Sequence, residues 1–129
     1  MRDSAEASYP CCLVSDLPDH IPPERVAELA ESVEIELIDV RRAYEHEAGH
    51  IAGARHLEVN DLTSEAGSIP KDRPVVFYCR GGSRSGMAAE AFRQAGFDAH
   101  NMDGGLSAWH ERGLPLEPAG GEVAEVRPV

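Results

Sequence analysis

The sequence predicts a single α/β domain with an open, mostly parallel β-sheet and helices on both faces. Its 129 residues, 42% of them hydrophobic, suffice for one core of average domain size. Short apolar runs alternate along the chain with segments of helical periodicity, an order typical of parallel sheets. The most apolar run, residues 75–79, is bounded by Pro74 and Gly81, so we predict that it is the central strand, buried on both faces.

The first half of the chain contains five predicted elements. Pro22 and Pro23 favour a helix start, and Val26, Leu29 and Ala30 then fall on one helical face. After this helix the pattern predicts a buried strand, a short helix, an extended piece and a polar, turn-rich segment, at residues 36–40, 43–48, 54–59 and 60–74.

The second half continues the alternation. Ser85 is predicted to cap a helix that Gly96 ends, with these apolar residues at helical spacing: Met87, Ala88, Ala91, Phe92 and Ala95. A weaker strand at residues 98–102 and a last helix at 106–112 follow. We therefore expect one domain over residues 15–117, between an N-terminal tail, 1–14, and a Pro-, Gly- and Glu-rich C-terminal tail, 118–129.

Charge and cysteine content exclude several classes of protein. The 23 Asp and Glu outnumber the 12 Lys and Arg, and the net charge of −11 argues against nucleic acid or an anionic membrane as a partner. The three cysteines, of which Cys11 and Cys12 are adjacent, lack the spacing of a disulfide framework, so a reducing, cytoplasmic location is expected. The N-terminus has no apolar core, so we expect no signal peptide, and the apolar run at residues 75–79 is too short to span a membrane.

The candidate site lies in the loop after the predicted central strand. Cys79 stands at the carboxyl end of that strand, where open α/β sheets place their ligand crevice. The residues that follow it are Arg80, Gly81, Gly82, Ser83, Arg84 and Ser85. The glycines let successive backbone N–H groups point inward, and the helix start adds a positive end, so this loop is predicted to hold an anion. Arg80 and Arg84 are the predicted substrate-binding cations, and the larger role is expected for Arg84 because it lies next to the helix start.

Cys79 is the predicted nucleophile of this loop. An ordinary cysteine thiol, with a pKa of about 8.5, is only ~3% thiolate at neutral pH, whereas a helix start and nearby arginines commonly lower that pKa by about two units. The alternative is an inert, buried thiol at a strand end beside a glycine turn. Two arginines, two glycines and a helix start around one cysteine favour the nucleophile.

Three motifs together resemble a known family. The sequence Cys-Arg-Gly-Gly-Ser-Arg-Ser at 79–85 resembles the active-site loop of single-domain rhodaneses, which are sulfurtransferases. Leu-Ile-Asp-Val-Arg at 37–41, followed by Glu45 and by Gly-His-Ile-Ala-Gly-Ala at 49–54, is similar to the family's first signature. Gly-Gly-Leu-Ser-Ala-Trp at 104–109 resembles its closing signature. The resemblance thus covers roughly residues 20–117 in the family's order.

The resemblance implies a two-step sulfur transfer without a cofactor or a metal. The Cys79 thiolate would take the outer sulfur of a small-molecule donor, thiosulfate or a persulfide, and hold it as a persulfide. Cyanide or a thiol acceptor, which includes a thioredoxin-like or sulfur-carrier protein, would then remove it. The amides of residues 80–84 would stabilise the persulfide anion, while Arg80 and Arg84 would hold the sulfonate oxygens of the donor.

The resemblance also assigns roles to residues outside the loop. By analogy with the family, Asp39 and Arg41 lie beneath the pocket, where we expect a supporting role with Arg41 paired to Glu45. Cys11 or Cys12 could resolve the persulfide, but their unpatterned surroundings favour ordinary reduced thiols.

A zinc-hydrolase motif is the most specific rival signal. Residues 46–56 satisfy the pattern H-E-x-G-H-x-x-G-x-x-H, with His46, His50 and His56 as ligands and Glu47 as base. That site needs His46 and His50 one turn apart on a long helix, and the few polar residues before His46 do not predict one. We therefore expect the three histidines to lie apart and to bind no metal.

Two further alternatives use the same loop differently. Phosphatases and arsenate reductases with a Cys-x5-Arg loop need one residue more between the cysteine and the arginine than Cys79 and Arg84 provide. A smaller ring of amides suits a sulfur atom better than a tetrahedral phosphate. A non-catalytic binding module is disfavoured because Cys79 is present, although Gly81 stands where relatives often carry a hydroxyl.

Overall fold

The computed structural model describes residues 17–32, 35–117, 121 and 123, and it confirms the predicted α/β class. The strands are β1 (His20–Ile21), β2 (Glu36–Asp39), β3 (Arg55–His56), β4 (Val75–Tyr78) and β5 (Ala99–Met102). The helices are α1 (Pro23–Ser32), α2 (Ala43–Ala48), α3 (Ser83–Gln94) and α4 (Gly105–Glu111), with 3₁₀ turns at Val59–Asp61 and Ala66–Ser68. The predicted tails lie almost wholly outside the described residues.

The five strands form one sheet in the order β1-β5-β4-β2-β3, and every neighbouring pair is parallel. β4 takes the central position, as predicted, and all four of its residues are fully buried. Because β2 and β5 flank β4 in parallel, their carboxyl ends meet where Cys79 leaves the sheet. Within the described residues, no helix is both long and apolar enough to cross a membrane.

Each face of the sheet packs against its own helices, which confirms that helices cover both faces. On one face, Phe77 of β4 packs against Phe92 of α3, with ring centroids 5.1 Å apart. On the other face, Val76 packs in a cluster with Val26 of α1 and Trp109 of α4. The alternation of side chains along β4 therefore supplies both hydrophobic cores.

Helix α3 differs from its prediction in its start and in its buried face. It begins at Ser83, after Gly82 as N-cap, so Ser85 lies in its first turn and does not cap it. The predicted apolar face is wrong at Met87, which is 75% exposed, and also at Ala91 and Ala95, which are exposed. The residues of α3 that are buried are Ser85, Ala89 and Phe92. The first residue of this buried face is thus Ser85, a polar residue of the site. A search for apolar residues at helical spacing does not find it.

Candidate active site

The sulfur of Cys79 lies inside the loop that the sequence predicted. Cys79 is 1% exposed, and the backbone N–H of Gly82 donates a hydrogen bond to its Sγ at 3.1 Å. The hydroxyl Oγ of Ser85 lies 3.4 Å from the same sulfur. Gly82 has a φ of +102°, a left-handed conformation that favours glycine, at the point where the loop turns into helix α3. Gly81 and Ser83 are exposed on the outside of the loop.

These neighbours lower the pKa of the Cys79 thiol. Burial of the sulfur acts to raise its pKa, since a buried charge loses its hydration. Hydrogen bonds from the hydroxyl and amide of Ser85 and from the amide of Gly82, with the positive charge of Arg84, outweigh burial. The pKa of Cys79 therefore lies below its ordinary value, which increases the thiolate fraction at neutral pH.

Helix α4 holds the loop from behind. The N–H of Leu106 donates to the carbonyl of Cys79 at 2.8 Å, and the N–H of Ser107 donates to the carbonyl of Arg80 at 2.9 Å. Because C=O and N–H point in opposite directions across one planar peptide, these bonds turn the next two loop amides away from α4. Gly105 allows this approach: a Cβ there would lie 2.5 Å from the Arg80 carbonyl oxygen.

Arg84 lies beside Cys79 but is already paired. Its two terminal nitrogens donate to the two carboxylate oxygens of Glu45, at 3.0 and 3.1 Å. Glu45 is fully buried, and burial acts to raise its pKa, but the bonds from Arg84 and from the amide of Arg42 lower that pKa overall. The guanidinium of Arg84 is thus held by a bidentate ion pair before any substrate binds.

The expected pair between Arg41 and Glu45 is wrong. Arg41 instead folds back on Asp39, with bonds of 2.8 and 2.6 Å to the two carboxylate oxygens, and its Nη2 also donates to the carbonyl of Gly49. Both side chains are fully buried at the carboxyl end of β2. A carboxylate two residues away binds Nε and Nη2 of the guanidinium, so Glu45 remains available for Arg84. The Nη1 of Arg41 is buried and has no hydrogen-bond partner among the described residues.

Arg80 differs from Arg84 in that part of its guanidinium is unpaired. Its Nε is buried and has no hydrogen-bond partner among the described residues. A buried donor without a partner is costly, so a rotation of the Arg80 side chain that brings this nitrogen to an acceptor is favourable.

The three histidines of the rival zinc motif come together, contrary to our expectation. The rings of His50 and His56 both stack on His46, with centroids 3.9 and 4.5 Å apart and planes within 14° and 19° of parallel. A metal bound to imidazole lies in the plane of the ring, so nearly parallel stacked rings cannot share one ion. The described residues accordingly contain no group with metal-binding geometry.

One ring nitrogen of each histidine also has a partner within the fold. His46 Nδ1 lies 2.8 Å from Asp39 Oδ2, His50 Nδ1 lies 2.8 Å from the carbonyl oxygen of His46, and His56 Nε2 lies 2.7 Å from that of Arg41. The stack therefore connects α2 with β2 and β3. This arrangement gives the motif a structural explanation that needs no zinc.

Asn101 and His20, which connect to Ser85 through hydrogen bonds, escaped the sequence reasoning. Asn101, on β5 and 3% exposed, holds a side-chain oxygen 2.5 Å from Ser85 Oγ. Its side-chain nitrogen lies 3.1 Å from Nδ1 of His20 on β1. A polar amide within a buried strand is the signal that could have identified Asn101, because buried amides require partners.

The comparisons with known proteins agree with this geometry. The Rhodanese-like domain family matches residues 22–112. The chain is similar to a thiosulfate sulfurtransferase GlpE of Shewanella oneidensis, with 34% identity over 71% of this chain and 92% of that protein. It is also similar to a sulfurtransferase of Allochromatium vinosum, with 38% identity over 68% of this chain and 83% of that protein.

The solved structure of a rhodanese-related protein from Thermoplasma volcanium superposes with a TM-score of 0.72 and 25% identity, covering 77% of this chain and 97% of that one. The fold and the three sequence signatures, one of which is the cysteine loop, thus all point to one family. This chain belongs to the rhodanese-like domain family.

Proposed function

We propose that this protein is a thiosulfate sulfurtransferase that carries sulfur as a persulfide on Cys79. The observation that carries the proposal is the environment of Sγ, where donors from Gly82 and Ser85 favour an anionic sulfur. The name of the GlpE relative supports thiosulfate sulfurtransfer, and the name of the Allochromatium relative supports sulfur transfer in general.

The proposed reaction has two balanced steps. The Cys79 thiolate attacks the outer sulfur of thiosulfate, and the S–S bond of the donor breaks with its electron pair leaving on sulfite. An acceptor thiolate or cyanide then attacks the outer sulfur of the persulfide, which regenerates the Cys79 thiolate. The negative charge remains on sulfur at the loop throughout, so the donors of Gly82 and Ser85 serve both anions.

The structure favours Arg80 over Arg84 as the binder of the donor's sulfonate. Arg84 already has two bonds to Glu45, whereas the Nε of Arg80 has no partner among the described residues. We infer that Arg84 stabilises the thiolate from its fixed position and that Arg80 contacts the donor oxygens. This reverses the order expected from the sequence, in which Arg84 carried the larger role.

The acceptor and the location follow from the same chemistry. The second step of the proposed reaction needs a thiolate that attacks the outer sulfur, so we propose a low-molecular-weight thiol, a thioredoxin-like protein or a sulfur-carrier protein as acceptor. Such acceptors are reduced in the cytoplasm, which we propose as the location.

The test is a mass measurement of the intact protein. Incubation with thiosulfate should add one sulfur atom, about 32 Da, and cyanide or a thiol should remove it. Peptide mapping should place the sulfur on Cys79, and Cys79→Ser should abolish both the addition and turnover. Sulfur on Cys11 or Cys12, or full turnover by Cys79→Ser, would overturn the proposal.

A further inference from the structure

A chain of hydrogen-bonding groups leads from the protein surface to the sulfur of Cys79. It begins at His20, an exposed residue of β1, whose Nδ1 lies 3.1 Å from the side-chain nitrogen of Asn101. The other end of the Asn101 amide lies 2.5 Å from Ser85 Oγ. Ser85 Oγ lies 3.4 Å from Cys79 Sγ. Asn101 and Ser85 are both buried, so their polar atoms depend on one another for partners.

The Ser85 hydroxyl cannot serve both of its neighbours as a donor. A serine hydroxyl carries one proton, and both the Asn101 oxygen and the Cys79 sulfur lie within its reach. In the arrangement described above, the amide oxygen faces Ser85; when it takes the hydroxyl proton, Ser85 accepts the S–H of a neutral thiol. If the amide NH₂ faces Ser85, it donates to Oγ, and the hydroxyl proton goes to the sulfur.

A rotation of the Asn101 side-chain amide by about 180° exchanges its oxygen and its NH₂ group, which are of similar size, and so converts one arrangement into the other. The hydrogen bond between Asn101 and His20 can form in both arrangements. An NH₂ group facing His20 needs the lone pair of Nδ1, and an oxygen facing His20 needs a proton on that nitrogen. The four side chains therefore have two complete hydrogen-bond patterns, one for a thiol at Cys79 and one for an anionic sulfur.

The loop and its helix leave room for this amide. A Cβ added to Gly82 would lie 3.6 Å from the Asn101 side-chain nitrogen, and one added to Gly86 would lie 3.8 Å from it. Asn101 thus packs directly under the backbone of the loop and the first turn of α3. Its own backbone is held on both sides, since β5 pairs with β1 and with β4 at this residue.

We propose that Asn101 is a positioning residue that directs the Ser85 hydroxyl proton onto the sulfur of Cys79 when that sulfur is anionic. Without the amide, the Ser85 hydroxyl can turn instead to a backbone carbonyl three or four residues earlier, in the loop before α3. The role rests on the proposed function only in that the anionic sulfur is the reacting group.

The first experiment measures the alkylation rate of Cys79 by iodoacetamide against pH, because this rate reports the thiolate and needs no sulfur donor. Asn101→Leu should slow alkylation near neutral pH by roughly threefold to tenfold and raise the midpoint of the profile. In a Ser85→Ala background, Asn101→Leu should add no further change, because the proposed action passes through the hydroxyl. An equal effect in both backgrounds, or no effect in either, would overturn the proposal.

His100→Gln is the matched control for damage to β5. His100 precedes Asn101 on the strand and is also buried, but its ring nitrogens lie 2.7 Å from the Pro18 carbonyl oxygen and from an Asp98 carboxylate oxygen. This variant should leave the alkylation profile unchanged. A shift as large as that of Asn101→Leu would show that any disturbance of β5 moves the pKa of Cys79, and the proposal would fail.

A measurement on the unmodified chain covers the case in which Asn101→Leu does not fold. The sequence contains two asparagines, Asn60 and Asn101, and one glutamine, so the side-chain amide region of a ¹⁵N spectrum is simple. The Asn101 NH₂ signals should shift over the pH range in which Cys79 alkylation titrates, and this shift should vanish in Cys79→Ser.

The exposed Asn60 serves as the internal reference of that spectrum and should stay unchanged. Asn101 signals that ignore the ionisation of Cys79 would overturn the proposal. A normal profile and spectrum without any sulfur uptake would instead overturn the proposed function alone.

Discussion

At the scale of single residues, the two loop arginines have different surroundings although both flank the same pair of glycines in the sequence. Arg84 reaches across to Glu45, and the buried carboxylate neutralises much of its charge. Arg80 keeps an unpaired Nε. A guanidinium that is already hydrogen-bonded to a carboxylate gains less free energy on binding an anion than one with an unpaired donor.

Arg80→Ala is therefore expected to lower kcat/KM for thiosulfate by roughly tenfold to 150-fold, the value of a charge-assisted contact of about 1.5–3 kcal/mol. With an uncharged persulfide donor, the loss should be much smaller because no sulfonate is present. Steady-state rates with both donors measure the difference. Arg25→Ala removes an exposed arginine that pairs only loosely with Glu28 and controls for the change in net charge. Equal losses with both donors would show that Arg80 does not bind the sulfonate.

At the scale of elements, the histidine stack ties the short helix α2 to the sheet, and its stability depends on pH. Burial of His46 and the nearby His50 and His56 lower the pKa of His46, although Asp39 opposes this shift. A neutral ring is thus favoured in the folded protein. Because the unfolded chain binds the proton more readily, folding loses stability as the pH falls below about 6.5, toward the lower pKa of the folded state.

His46→Phe should remove this contribution while keeping a stacked ring. The free energy of unfolding in urea, measured between about pH 7.5 and pH 5.5, should fall more steeply for the wild type than for this variant. The lost bond to Asp39 should lower the variant's stability by a similar amount at every pH in this range. The same slope for both proteins would contradict the role assigned to His46.

The contact between α4 and the catalytic loop gives a second prediction at this scale. Gly105 has a φ of +64°, and a Cβ there would lie 2.5 and 2.6 Å from the carbonyl oxygens of Arg80 and Cys79. Gly105→Ala should therefore cost roughly 3 kcal/mol or more and reduce the rate of Cys79 alkylation. Gly113, with a φ of +75° and open space around it, is the matched control.

Gly113→Ala carries the strain of a left-handed alanine without the clash, so it should cost only about 1–2 kcal/mol and leave alkylation unchanged. Unfolding in urea measures both variants. Equal losses of unfolding free energy in the two variants would mean that the loop can move away from a side chain at position 105, which would contradict the close contact between α4 and the loop.

At the scale of the whole molecule, stability comes from two hydrophobic cores on the faces of one sheet. Helix α3 shows that the contribution of an apolar residue to stability depends on how deeply it is buried. Phe92 is 8% exposed and packs against Phe77 and Phe97, whereas Met87 on the same helix is 75% exposed. Phe92→Ala should cost about 3–5 kcal/mol and Met87→Ala close to nothing, as measured by thermal or urea unfolding. A large cost for Met87→Ala would show that its exposed side chain is covered in solution.

Much of the fold follows from local patterns. The run at 75–79 could be assigned to the central strand because four consecutive buried apolar residues suit only a strand covered on both faces. The two-residue strand β1 could not be predicted, since it is too short to show any period and forms through its pairing with β5. The buried face of α3 was misjudged because it includes Ser85, whose partners lie on other elements.

The sequence by itself determined the α/β class, the place of Cys79 at the end of the central strand, and the loop of glycines and arginines after it. These depend on periodicity and on neighbours within a few residues. The tertiary structure alone decided which partner each polar group takes. Glu45 and Arg84 are 39 positions apart, Ser85 and Asn101 are 16 apart, and Asn101 and His20 are 81 apart. Such pairs arise because parallel strands bring their carboxyl ends to one edge, and no spacing along the chain encodes them.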